Sequence, residues 1–180
     1  MTTLTMNASS LLRDQAREAR EFLEGTMSDV TQEQAASMPG GKTVSIAANY
    51  AHIITSQDFG LHGVLKGTAP LVASSWAGKA GFDSPPPFGP GASLDEWARQ
   101  TPIDLKALRQ YAQAVYVASD EYLASLSDDD LNRPVDLSAV GLGQQPASYV
   151  LKAGWINNVL MHCGEISCLK GLQGAKGYPV

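Results

Sequence analysis

His162 is the residue whose setting most invites chemistry. It falls in the run Trp155, Val159, His162, Ile166 and Leu169, at steps of four, three, four and three. That spacing keeps side chains on one helix face and predicts an inward stripe. An inward imidazole is either a hydrogen-bonded core group or a ligand and proton carrier. Asn158 lies one turn earlier on the same face, and Glu165 lies three residues later. Glu165 is expected to accept the second ring N–H of His162 or to be a plain surface charge. His52 is the natural partner from another segment, with Thr55, Ser56 and Phe59 on its helical face. Periodicity alone does not place it opposite His162.

His52, His162 and Asn158 together would offer two imidazoles and a neutral amide. A firm zinc or nickel site needs a third imidazole or a carboxylate beside the two imidazoles. The expected divalent-metal site is therefore weak or absent, unless Asp58 or Glu165 completes the shell. Tyr50, Asp58, Trp155, Asn158 and Glu165 are the expected pocket or supporting residues. Asp58 either orients a histidine or is solvated. His62, set among Gly60, Leu61 and Gly63, is expected at the surface.

Other schemes find less support. Cys163 adjoins His162, but residues one apart on a helix do not face each other. Cys163 and Cys168, five apart, do not share a helix face either, so the pair is expected to be reduced and the protein cytoplasmic. GLGQQP has neither the spacing nor the lysine of a phosphate-binding loop. There is no nucleophile elbow and no His-Glu-x-x-His motif. A net charge of -5, from 13 basic and 18 acidic residues, argues against a nucleic-acid partner. No run approaches the roughly 20 apolar residues of a membrane span, and the N-terminal segment turns charged where an export signal would turn apolar.

The elements that must position these residues are four amphipathic helices, predicted near residues 9–27, 43–65, 104–126 and 146–171. Asn7, Ser9 or Ser10 is available to cap the first and Asp104 the third, while Pro146 suits the first turn of the fourth. A turn of helix is expected in TQEQAASM, where Thr31 and Gln34 have capping-box spacing. Between the second and third long helices lies a proline-rich loop with a short helix at SLDEWARQ. Its Trp76, Phe82, Phe88 and Trp97 are expected to cover one bundle end, as a satellite core or as a pocket wall. No strand pairing is expected. The expectation is one all-α domain over residues 1–180, a four-helix bundle.

Two segments carry a family likeness. NYAHIITSQDFGLHGVLKG and NNVLMHCGEISCLKGLQGAKGYP resemble the second helix, and the fourth helix with its tail, of the DinB/YfiT-like superfamily. The resemblance implies up-down-down-up helix order, with the long loop after the second helix, and a homodimer. It also implies a divalent metal held by three histidines, one from the second helix and two from the fourth. His52 matches the first position and His162 the last, while Asn158 stands at the middle one. Relatives implied by the likeness include transferases and an isomerase that use low-molecular-weight thiols such as mycothiol or bacillithiol. Two readings stand: a small-molecule transferase or isomerase with a thiol cosubstrate and a degenerate metal site, or a non-catalytic bundle that binds a small ligand or a protein partner.

Overall fold

A computed structural model describes residues 7–89 and 91–180. Residues 1–6, the start of the N-terminal segment read for an export signal, lie outside the described residues. The fold is all-α in its main elements. Helix α1 (Ala8–Met27) starts where the Asn7 side chain accepts from the Ser10 N–H, and Asp128 accepts a further free N–H from Ser9. Short α2 (Gln32–Ala36) carries the full capping box, with Thr31 and Gln34 satisfying each other's backbone N–H groups.

The second long rod is not α-helix throughout. Helix α3 (Ile46–Asp58), capped by Ser45, runs into a π-helical segment, Phe59–Lys66. Helix α4 (Leu94–Gln100) is capped by Ser93, and α5 (Leu105–Ser125) by Asp104. The fourth rod starts with short α6 (Ala147–Tyr149), continues as a second π segment, Val150–Asn157, and ends as α7 (Asn158–Leu172). Two continuous α-helices were the expectation here. The π segments pack on one another at Gly60, where an added Cβ would lie 3.2 Å from the Trp155 indole nitrogen and 3.3 Å from Val150. Wider π turns recur at functional sites.

The structure also departs from the expectation of no strand pairing. Strands β1 (Pro134–Asp136) and β2 (Gln144–Pro146) form an antiparallel ladder, with Val135 opposite Gln145. Pro146 ends β2 and stands just before α6, a position that needs no N–H. The short helices and the ladder make the fold richer than four helices alone.

Chain directions follow from the cross-links. Arg20 pairs with Asp120, Tyr116 donates to Glu24, and Arg109 donates to the Met27 carbonyl, so α5 runs antiparallel to α1. Thr26 accepts from Cys163, and the Lys170 ammonium donates to the Thr26 carbonyl and to Asp29, tying the ends of α1 and α7. The main core between these rods holds Leu23, Met27, Tyr50, Ile53, Ile54, Leu108, Tyr111 and Ile166. A second cluster, around Leu61, Leu151 and Trp155, lies under the ladder.

The long loop is ordered by its aromatics. Trp76 packs on Tyr111 at 5.9 Å, and Phe82 lies between Tyr111 and Trp97. Trp97 donates its indole N–H to the Ser84 carbonyl at 3.0 Å. These three close a core at the bundle end. Phe88 does something different and belongs to the site.

Candidate functional site

Helix α3 and the rod ending in α7 lie side by side, and their facing polar residues form the site. The His52 and His162 rings meet edge to face, with centroids 4.8 Å apart. Nδ1 of His162 lies 2.8 Å from a Glu165 carboxylate oxygen. A carboxylate only accepts, so this nitrogen carries the proton, and Nε2 is the basic nitrogen of the neutral ring. The pairing follows from helix geometry, since residues three apart are surface neighbours.

His52 is set differently. Burial, and then the neighbouring His162, hold its imidazole down at about 4, against an ordinary 6.5, while Glu165 and the Asn158 amide pull the other way. His52 is therefore neutral near pH 7. Its contact with Asn158 is not a formed hydrogen bond: Nδ1 of His52 and Nδ2 of Asn158 are both buried without a partner.

Asn49 joins this group, and the sequence reading missed it as a site residue. It lies three residues before His52 on the same helix face, is 1% exposed, and neither of its amide atoms has a partner. Leaving a buried amide unpaired costs about 1–3 kcal/mol per group, so such groups are rare. Asn49, His162, Glu165 and Cys168 line one open cleft of about 740 Å³, whose far wall is Lys42, Ser93 and Asp95. The loop residue Phe88 packs on His52 at 5.6 Å and on Phe59 at 5.0 Å. It walls a separate groove beside Phe59 and Gly60, the pocket-wall role that the loop's composition left open.

Several expected residues sit elsewhere. Tyr50 is fully buried and donates to Glu24 at 2.7 Å, on the far side of α3. Two residues from His52 is about 200° around a helix, which turns it away from the cleft. Burial and the Glu24 carboxylate push its phenol well above the usual range. Trp155 is a core side chain, 2% exposed, under Gly60. Asp58 is neither solvated nor at the cleft. It is fully buried and accepts from the Leu71 and Val72 N–H groups at 2.9 Å each, from Tyr111 at 2.6 Å and from His62 at 2.7 Å. His62, expected at the surface, is buried because Asp58 one turn earlier holds its ring. Cys163 is buried beside Thr26, and burial raises its thiol, so it is no ready nucleophile. Cys168 is a free, exposed thiol.

The donor set is short of a firm divalent-metal centre. Two imidazoles and a carboxamide converge, and Glu165 is engaged by His162. Among the described residues no three His, Cys, Asp or Glu side chains converge as ligands. No described helix is long and apolar enough to cross a membrane.

Comparison with known proteins finds no match among curated sequences. Among solved structures, the chain is similar to the crystal structure of a conserved protein of locus from Enterococcus faecalis. The TM-score is 0.77 at 21% identity, over 93% of this chain and 98% of that one, a likeness of fold. The family profile described as the DinB superfamily matches residues 15–166, most of the length and both rods that build the site. This chain belongs to the DinB superfamily.

Proposed function

We propose that this protein binds a small molecule in the cleft between α3 and α7, and that it does so chiefly by hydrogen bonds rather than through a tightly held metal. The observation that carries the reading is the cluster of buried, unpartnered polar atoms on Asn49, His52 and Asn158 around an ordered His162–Glu165 pair. A ligand that both donates and accepts would satisfy groups that the fold leaves unpaired. Zinc or nickel binding is weak under this reading, because Asn158 replaces a nitrogen donor with an amide oxygen. Calorimetric titration with each metal tests it. Wild type is expected to bind no tighter than micromolar, and Asn158→His to bind at least tenfold tighter. Nanomolar binding by wild type, lost in His52→Ala and His162→Ala, would overturn the proposal.

A second reading, thiol-dependent transfer or isomerisation, is favoured by the His162–Glu165 pair. Glu165 fixes the tautomer and leaves Nε2 to take a proton from a thiol S–H or from a carbon acid. Glu165→Gln and His162→Gln should then keep ligand binding and lose turnover of a thiol adduct by 100-fold or more. The up-down-down-up order and the homodimer belong to the same proposal. The antiparallel α1/α5 pairing supports the order, and exposed Leu160 and Met161 on α7 are apolar groups available to a second copy. Light scattering of the eluted protein gives the oligomeric state.

A further inference from the structure

The polar cleft occupies one part of the furrow between α3, with its π segment, and the rod that ends in α7. Along α3 and its π segment, Asn49, His52, Ser56, Gly60 and Gly63 recur at helical steps. Along the facing rod the order is Gly154, Asn158, His162 and Glu165. The rods are antiparallel here: Asn49 shares the cleft with Glu165, while Gly60 touches Val150 and Trp155. One end of the furrow is therefore polar and the other is built of glycine and aliphatic side chains.

That second end is a groove of about 480 Å³. Its floor is Gly60, Gly63 and Gly154, and Val64 and Val150 flank it. Its outer wall is Val140 and Leu142 from the β1–β2 connection, 42% and 45% exposed. At Gly63 and Gly154 an added Cβ would meet nothing within 4 Å, so the groove has depth because these positions lack side chains. Phe88 lines the groove and also packs on His52. The ring that walls the groove thus lies against His52, whose Nδ1 has no partner, and His52 in turn meets His162 of the polar cleft.

We propose that the furrow takes one amphipathic small molecule, with a neutral hydrogen-bonding head at His52 and Asn158 and an alkyl or aryl tail in the groove floored by Gly63 and Gly154. The inference rests on the cleft being a small-molecule site and adds the class of molecule. The head is neutral because the Glu165 carboxylate lies against His162 and would repel an anion. It has an acceptor, because the Asn158 amide offers N–H. The tail is apolar because the groove offers it almost no polar partner, so burial there is driven by area removed from water.

The test uses primary amides from butanamide to octanamide, followed by NMR of the three histidine side chains. His62, held by Asp58, is the internal control. His52 and His162 signals should shift with every member, and affinity should rise about fourfold for each added methylene. Gly154→Leu and Gly63→Leu fill the groove at helical positions without positive φ. Each should weaken octanamide at least tenfold, leave butanamide within twofold, and keep the wild-type melting temperature within a few degrees. Equal binding of butanamide and octanamide would overturn the tail while leaving the polar site intact. Histidine signals that no amide moves would overturn both. A concentration-dependent dimer abolished by Gly154→Leu would assign the groove to a second copy instead, and would also overturn the proposal.

Discussion

Two histidines of this protein, His62 buried and His52 half-buried, are held in opposite ways. His62 satisfies a carboxylate, whereas His52 is packed against a second imidazole with its Nδ1 unpaired. The consequence for His52 is a pH-dependent stability. Its folded value of about 4 lies below the unfolded 6.5, so between those values the unfolded chain binds the proton and the folded chain does not. The protein should lose up to about 3 kcal/mol from this group as pH falls from 7 to 4, with no loss above pH 7. Urea unfolding at several pH values measures it. In His52→Gln the acid loss should shrink by that amount, and an unchanged profile would show that His52 is not held neutral. Asp58 gives a second residue-scale expectation. Asp58→Ala leaves four donors without their acceptor and should cost about 3–5 kcal/mol, well above the roughly 0.5 kcal/mol of an ordinary surface change such as Glu18→Gln.

At the scale of elements, the long loop is held to the bundle as firmly as a helix would be. Asp58 fixes it through Leu71 and Val72, and Gly81 fixes it again at the start of α5, where its carbonyl accepts from the Asp104 N–H at 2.8 Å. Gly81 has φ +90, and a Cβ there would lie 2.5 Å from the Asp104 carbonyl oxygen and 2.8 Å from the Leu108 nitrogen. Gly78 has φ +68 with open space around it. Gly78→Ala should therefore cost about 1 kcal/mol from the backbone alone, and Gly81→Ala at least twice that, because backbone atoms must move. Thermal unfolding of the two variants separates them, and equal shifts would contradict the close approach. The loop then acts as a fixed wall, which lets Phe88 hold its place on His52.

At the scale of the whole molecule, the last residues close the structure across its two parallel ends. Tyr178 packs on Phe22 at 5.1 Å, and Pro179 lies 3.1 Å from where a Cβ on Gly25 would stand. Removing residues 177–180 should lower stability by about 1–2 kcal/mol. The same contact predicts a change of sign. Gly25→Ala should destabilise the full chain, because the methyl meets the Pro179 ring. In the chain shortened before Gly177 it should stabilise by about 0.5–1 kcal/mol, the ordinary gain of alanine over glycine in a helix. Chemical denaturation of the four proteins provides this double-mutant cycle. An identical effect of Gly25→Ala in both backgrounds would mean that the tail does not dock.

The sequence by itself determined what lies along one helix. The four amphipathic patterns, the caps at Asn7, Thr31 and Asp104, and the shared face of Asn158, His162 and Glu165 are all set by residues within a few positions of one another. It also placed Tyr50 about 200° from His52, a signal that an apolar-to-polar reading of α3 passes over. What passes between elements was decided by the tertiary structure alone. Periodicity fixes which face of a rod is inward but not which residue of the next rod it meets, so the contact of His52 with His162 and the approach of Phe88 had no local sign. The role of Asp58 as an acceptor depended likewise on a loop arriving from 13 and 14 residues away. The π segments hid themselves for a related reason. Their glycines weaken an α-helix without saying what replaces it, and only the packing of Gly60 on Trp155 makes the wider turn the one that fits.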